Sequence, residues 1–194
     1  MKKPLSFVSL LSFLVLFLVL PVSAALPVPP PPQIEARAWL LVDAASGQPL
    51  AEKNPDAKVE PASLTKLMTA YIAFSAVKEG RLALNQQLSV SEKAWKAEGS
   101  RMFLDPKRPA TVEDLLKGVI VQSGNDACIV LAEGIAGSEE SFVSVMNQMA
   151  KKLSMTRTHF VNATGLPHPQ HTTTARGLSR LAGALIRDFP DFCK

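Results

Sequence analysis

A predicted helix begins in the segment Glu60-Pro61-Ala62-Ser63-Leu64-Thr65-Lys66-Leu67-Met68-Thr69-Ala70, with a serine and a lysine three residues apart. Side chains at i and i+3 share a helix face, so the Ser63 hydroxyl and the Lys66 amine are predicted to approach each other. The first turn of a helix also leaves N–H groups unpaired and carries the positive end of the dipole, which favours negative charge near Ser63. Lys66 would serve as a base if burial or a second cation lowered its pKa.

The Ser-x-x-Lys spacing alone does not identify a catalytic site. Ser75-Ala76-Val77-Lys78 has the same spacing at the far end of the same predicted helix, just before Gly80. There the dipole has the opposite sign, and Lys78 is interpreted as a favourable C-terminal cation. Taken by itself, the Ser63–Lys66 pair is better explained by a cap serine and a solvated lysine, so a second motif has to decide its role.

The N-terminus has the pattern of a secretory signal peptide. Lys2 and Lys3 precede an apolar run over residues 7–20, and small residues follow as far as residue 25. Cleavage is predicted after Ala24. The alternative is an uncleaved membrane anchor, which is disfavoured because the run is short for a membrane span. Residues 1–24 are assigned to the signal, residues 25–34 to a proline-rich spacer, and residues 35–194 to one exported domain.

Composition argues against several other classes of protein. The formal net charge is +4, and loss of Lys2 and Lys3 would reduce it further. Basic residues do not cluster with aromatic ones, so nucleic acid is not expected as a partner. Of the two cysteines, Cys128 lies in an apolar helical run and is predicted to be a buried free thiol, with a disulfide as the less favoured alternative. His168 and His171 are interpreted as loop residues, so no metal site is expected.

A second motif, Ser123-Gly124-Asn125, lies between two predicted apolar helices. It has a purely structural explanation, in which glycine supplies a bend and the polar side chains cap the helix ends. In the functional explanation, the break directs a hydroxyl and a carboxamide into a cleft. If that cleft faces Ser63 and Lys66, Ser123 would relay a proton to a leaving amine and Asn125 would hold a peptide group. Together with the first motif and the export signal, the functional explanation is favoured.

The remaining pattern predicts one β-hairpin, about five helices and a possible short helix near residues 92–96. Strands are predicted at residues 38–42 and 48–52, and helices at about residues 63–78, 111–122, 126–135, 139–153 and 175–188. Thr111, Ser138 and either Thr173 or Thr174 are the predicted helix caps. Two strands alone do not form a stable sheet, so the hairpin needs partners that this chain barely offers.

The two motifs together resemble those of the serine D-alanyl-D-alanine carboxypeptidases, the low-molecular-mass penicillin-binding proteins of the bacterial envelope. The resemblance is carried by residues 61–69 and 121–127, and matching segments continue from about residue 38 to residue 190. The same Ser-x-x-Lys serine is the nucleophile of penicillin-binding proteins and class A β-lactamases. The resemblance implies an α+β, β-lactamase/DD-peptidase-like transpeptidase fold, with residues 35–194 as a partial catalytic domain.

The resemblance also implies a two-step acyl transfer on peptidoglycan muropeptides ending in D-Ala-D-Ala. Lys66 would take the proton of Ser63, which attacks the penultimate D-alanine, while Ser123 protonates the leaving D-alanine and Asn125 binds the substrate. Backbone N–H groups, including that of Ser63, would hold the oxyanion. β-Lactams would acylate the same serine, and no metal or organic cofactor is implied. The expected location is the periplasm or the outer face of the bacterial inner membrane, with membrane association only through an uncleaved signal or a C-terminal anchor.

The sequence departs from the family pattern in its sheet. Nothing matches the third family motif, Lys-Thr-Gly, and residues 188–194 follow shortly after the helix that normally precedes the missing strands. The helical lobe is therefore predicted to be complete and the central antiparallel sheet incomplete. The chain is interpreted as a truncated member that, as written, is unstable or inactive because the hairpin and the Ser63 helix leave an apolar patch uncovered. Smaller departures are Gly177, where aspartate is usual, and Ser154, where a helix-ending glycine is usual.

Two alternatives remain open. A β-lactamase would favour aspartate in place of Gly124 and would carry a glutamate-bearing loop, and the sequence has neither feature. A non-catalytic protein that binds peptidoglycan or β-lactams, or a pseudoenzyme, is supported by the missing third motif.

Overall fold

The computed structural model describes residues 30–31 and 33–193, and the chain from Glu35 onward forms one unit. The predicted signal peptide and the spacer as far as residue 29 lie outside the described residues. The described elements are β1 (Trp39–Val42), β2 (Pro49–Lys53), α1 (Lys66–Lys78), β3 (Gln87–Leu88), α2 (Glu92–Trp95), β4 (Ala110–Thr111), α3 (Val112–Val121), α4 (Asn125–Ala136), α5 (Glu139–Lys152) and α6 (Ala175–Asp188). Two 3₁₀ turns, Ala62–Thr65 and Pro190–Cys193, accompany them.

The strands form two separate antiparallel pairs. β1 and β2 make the predicted hairpin, with Trp39 opposite Lys53 and an irregular register between Leu41 and Val42, and β1 packs against α6. β3 and β4 form a second pair that the sequence analysis did not predict. Each of these strands has two residues, which is too short for an alternating pattern to appear. Leu41 and Leu50 are 53% and 63% exposed, so the predicted apolar exposure of the hairpin is present.

Helix α1 lies at the centre of the packing and contacts α3, α4, α5 and α6. Most of its residues are buried, which makes it a core helix. A helix surrounded by other elements has no solvent face to keep polar. The prediction of an uncovered apolar patch does not hold for α1 itself, although Leu64 in the preceding 3₁₀ turn is 51% exposed. The ring of Phe74 stacks on Phe192 at 4.3 Å between centroids, and Tyr71 meets Phe189 edge-on at 5.0 Å.

The predicted caps of three helices are confirmed. The side chains of Thr111, Ser138 and Thr174 each accept a hydrogen bond from the backbone N–H three residues later. These bonds satisfy donors that a helix start leaves unpaired. The starts of these three helices therefore follow from local sequence.

The two smaller departures from the family pattern occupy positions with clear steric demands. Ser154 follows α5 with a φ of +57°, in the left-handed region that favours glycine at helix ends. Gly177 lies in the first turn of α6, where an added Cβ would be 2.9 Å from the Thr158 hydroxyl. The Thr158 hydroxyl is hydrogen-bonded to the Thr173 hydroxyl at 2.8 Å, so the packing around this position suits a residue without a side chain.

Candidate active site

Ser63 lies in a 3₁₀ turn that leads into α1, and not in the α-helix that the sequence predicted. Side chains at i and i+3 eclipse each other in a 3₁₀ turn, which aligns them more closely than an α-helix does. The turn brings Lys66 Nζ to 3.4 Å from Ser63 Oγ. Ser63 is exposed, whereas Lys66 is 6% exposed. An exposed serine thus lies beside a buried amine.

Burial controls the protonation of Lys66. Burial lowers its pKa from the ordinary value of 10.5, and the neighbouring Cys128 acts in the opposite direction. Cys128 is a buried free thiol, as predicted, and burial raises its pKa to about 12. The thiol thus stays protonated and does not form an ion pair with Lys66 at neutral pH. The condition for Lys66 to act as a base, a lowered pKa through burial, is present.

The Ser123-Gly124-Asn125 elbow lies between α3 and α4. Ser123 has a φ of +56°, a strained conformation for a residue other than glycine. Its Oγ is buried and, within the described part of the chain, has no hydrogen-bond partner. Unpaired buried polar groups are rare and require an explanation. Asn125 is 5% exposed, and its Nδ2 donates to the Glu98 carbonyl at 2.6 Å.

A loop before α3 holds this elbow in place. The Asn125 N–H donates to the Ser100 carbonyl at 2.7 Å. The carboxylate of Asp126, which is 1% exposed, accepts from the N–H groups of Met102 at 3.0 Å and Leu104 at 3.1 Å. Asp126 was not among the site residues predicted from the sequence. An acidic residue directly after the motif, in the first turn of an apolar helix, was the available signal.

The two motifs lie on neighbouring helices. α1 packs against α4, and Cys128, in the first turn of α4, interacts with Lys66 in the interior. Among the described residues, no hydrogen bond joins Ser123 or Asn125 directly to Ser63 or Lys66. The structure therefore places the two motifs on helices that pack against each other.

A loop that the sequence analysis left without a role packs against the start of α1. Lys66 Nζ donates to the Thr164 carbonyl at 2.6 Å, and Thr69 Oγ1 donates to the Ala163 carbonyl at 2.7 Å. Within the loop, the side-chain oxygen of Asn162 accepts from the N–H groups of Thr164 at 3.2 Å and Gly165 at 2.7 Å. This turn chemistry aims the Thr164 carbonyl at the amine.

His171 anchors the same loop, so its interpretation as a simple loop residue was incomplete. It is 2% exposed, and its Nδ1 accepts from the Val161 N–H at 3.1 Å. The proton is therefore on Nε2, which donates to Thr65 Oγ1 at 2.8 Å. Burial, with smaller effects of His159 and His168, lowers the pKa of His171 to about 4. The ring is neutral and ties the loop to the Ser63 turn.

Comparison with protein families matches residues 25–194 to the D-alanyl-D-alanine carboxypeptidases. The chain belongs to this family. D-alanyl-D-alanine carboxypeptidase DacC of Escherichia coli K12 is 48% identical over 166 residues, which cover 82% of this chain and 42% of DacC. The chain thus spans less than half the length of this relative.

Solved structures of the family share the fold. The crystal structure of the carboxypeptidase DacD from Francisella tularensis superposes with a TM-score of 0.83 at 41% identity, covering 85% of this chain and 40% of DacD. Penicillin-binding protein D2 from Listeria monocytogenes, in its ampicillin-bound form, has a TM-score of 0.75 at 30% identity, covering 84% of this chain and 66% of that one. The predicted family and the α+β DD-peptidase-like fold class are confirmed.

Between residues 30 and 193, residue 32 excepted, no three histidine, cysteine or acidic side chains are grouped so as to bind a metal ion. In the same part of the chain, no helix combines the length and apolar character needed to cross a membrane.

Proposed function

We propose that this chain carries the acylation centre of a serine D-alanyl-D-alanine carboxypeptidase. The observation that carries the proposal is the 3.4 Å distance from the Oγ of exposed Ser63 to the Nζ of buried Lys66, whose pKa is lowered by burial. In the neutral form, the Lys66 amine accepts the Ser63 proton while Oγ attacks the carbonyl carbon of the penultimate D-alanine. The C–N bond then breaks, terminal D-alanine leaves, and water hydrolyses the resulting ester.

Ser123 and Asn125 are proposed to act on the other side of the bound peptide. The buried Ser123 hydroxyl has no partner in the described chain, so it is free to pass a proton to the leaving amine of D-alanine. Asn125 is anchored through Nδ2 to the Glu98 carbonyl, which orients its carboxamide for binding the substrate backbone. The support for both roles is their position at the start of α4, packed against α1.

The proposed substrates are peptidoglycan stem peptides ending in D-Ala-D-Ala, with β-lactams as acylating inhibitors. Support comes from the family match and from the ampicillin-bound Listeria relative. The signal-like N-terminus supports export to the bacterial envelope. We propose no nucleic acid partner and no cofactor.

Labelled penicillin tests the proposal on the protein expressed from its own gene. We expect one covalent label per chain, located by mass spectrometry on the peptide that contains Ser63, and release of D-alanine from a synthetic peptide ending in D-Ala-D-Ala. A slowly released label supports a carboxypeptidase over a β-lactamase. Failure to label, or a label on another residue, would contradict the proposal. The same assay on the 194-residue polypeptide tests the expectation that it is unstable or inactive.

The rate of acylation should rise with pH and reach a plateau above the folded pKa of Lys66, which is lowered from 10.5. Only the neutral amine accepts the Ser63 proton, so the rate falls about tenfold for each pH unit below that pKa. Labelling with penicillin, stopped after fixed times at a series of pH values, measures how the acylation rate depends on pH. Lys78→Met is the matched control, because exposed Lys78 contacts the Asp188 carbonyl and not Ser63. A profile with its midpoint at or above 10.5 would exclude Lys66 as the base.

A further inference from the structure

Glu139 is a largely buried carboxylate to which the proposed mechanism gives no role. It is the first residue of α5, and its side chain is 10% exposed. Oε1 accepts a hydrogen bond from the Ala163 N–H at 3.0 Å, and Oε2 pairs with Lys93 Nζ at 2.8 Å. The carboxylate therefore joins α2, α5 and the loop that contacts Lys66.

A short series of bonds leads from Glu139 to the proposed base. Ala163 donates its N–H to Glu139. The Ala163 carbonyl also accepts a hydrogen bond from Thr69 Oγ1 of α1 at 2.7 Å. The carbonyl of the next residue, Thr164, accepts from Lys66 Nζ at 2.6 Å. Glu139 thus binds this loop segment through the Ala163 N–H, and Lys66 binds the same segment through the Thr164 carbonyl.

The ion pair with Lys93 explains how the carboxylate is retained in this position. A buried carboxylate is costly unless it is paired and its oxygens are hydrogen-bonded. Both oxygens of Glu139 are used, one by Ala163 and one by Lys93. Lys93 also contacts Glu140 at 2.9 Å, but the Glu140 side chain is 77% exposed and does not reach the loop. Only one of the two neighbouring glutamates supports the site.

We propose that Glu139 is a positioning residue that holds the Thr164 carbonyl against the Lys66 amine and so directs that amine toward Ser63. The catalytic consequence rests on the proposed function, whereas the support of the loop by Glu139 does not. Without the carboxylate, the Ala163 N–H loses its acceptor and the Thr164 carbonyl moves away from Nζ. The ammonium form of Lys66 then loses a hydrogen-bond acceptor and is disfavoured.

Glu139→Ala has two expected effects on acylation by labelled penicillin. The plateau rate should fall about tenfold, because small displacements of a reacting group have large effects on rate. The midpoint of the pH profile should move to lower pH, because the charged amine has lost an acceptor. A general loss of stability would lower the amount of active protein but would leave the midpoint unchanged.

Three further variants isolate the contact. Glu140→Ala removes the other carboxylate that contacts Lys93 and should behave as wild type. Glu139→Gln keeps an acceptor for the Ala163 N–H and should restore most of the rate. Glu139→Asp keeps the charge but shortens the side chain by one methylene, so an intermediate loss of acylation rate is expected. This variant replaces Glu139→Ala in the test if the alanine variant does not fold.

Hydrogen–deuterium exchange provides a readout that does not depend on activity. Backbone exchange over residues 160–167 should rise in Glu139→Ala and Glu139→Asp but not in Glu140→Ala. Unchanged exchange there, or a rate loss with an unmoved midpoint of the pH profile, would overturn the proposal. If wild-type protein is not acylated at all, the proposed function fails instead. The Lys66 titration, followed by NMR of ¹³Cε-labelled lysine, would then decide whether Glu139 affects that amine.

Discussion

Ser63→Ala is expected to abolish covalent labelling by penicillin and the release of D-alanine. The substitution removes the only hydroxyl within hydrogen-bond distance of Lys66 Nζ among the described residues, and the acyl-enzyme cannot form without it. Loss of a catalytic serine lowers turnover by about 10⁴-fold or more. Labelling with a fluorescent penicillin and an assay for free D-alanine measure the two effects.

The second Ser-x-x-Lys pair provides a matched control in the same helix. Ser75 Oγ donates to the Tyr71 carbonyl at 2.9 Å, and Lys78 is exposed at the end of α1. Ser75→Ala should leave labelling and turnover unchanged. Retained turnover in Ser63→Ala would mean that another group is the nucleophile. Equal, non-covalent binding of penicillin by wild type and Ser63→Ala would instead favour the non-catalytic alternative.

Gly165→Ala is expected to disrupt the Ser63 turn from outside the catalytic residues. Gly165 has a φ of +90°, and an added Cβ would be 1.9 Å from the Ala62 carbonyl oxygen. Ala62 directly precedes Ser63 and is itself strained, with a φ of +46°. The backbone contact cannot be relieved by a rotamer change. We expect a loss of about 3 kcal/mol in the free energy of unfolding, from overpacking and backbone strain together. Acylation should fall about a hundredfold through displacement of Ser63.

Gly137→Ala separates the two causes. Gly137 has a similar φ of +81° at the end of α4, but an added Cβ there meets nothing within 4 Å. Gly137→Ala should lower the free energy of unfolding by only about 1 kcal/mol, through backbone strain, and leave acylation unchanged. Urea unfolding and penicillin labelling compare the variants. Equal effects of the two substitutions would show that the contact with Ala62 does not matter.

Much of the local structure could be predicted from the sequence. The helix caps Thr111 and Ser138, the break at the Ser-Gly-Asn elbow and the buried thiol of Cys128 were all indicated by short patterns. The 3₁₀ form of the Ser63 turn was missed, because its hydrogen bonds differ from those of an α-helix by one residue. The β3–β4 pair was missed because its strands are too short to show a period.

The residues that support the site, Glu139 and His171, could not be recognised from the sequence around them. Glu139 resembles any acidic residue in the first turn of a helix, where it is favoured by the dipole alone. His171 follows a proline-containing turn, which is usually exposed. Their partners, Ala163 and Thr65, are 24 and 106 residues away along the chain. No local pattern encodes such pairs.

The amino-acid sequence alone established the order of the motifs, the capped helix starts at Thr111 and Ser138, and the three-residue spacing of Ser63 and Lys66, because each depends on groups within about four residues of one another. Tertiary structure decided whether the amine is buried, which carbonyl receives its hydrogen bond, and which carboxylate supports that carbonyl. Lys66 meets Thr164 across 98 residues of sequence. The pKa of a side chain depends on the solvent and charges that surround it, and these are set only when distant segments pack together.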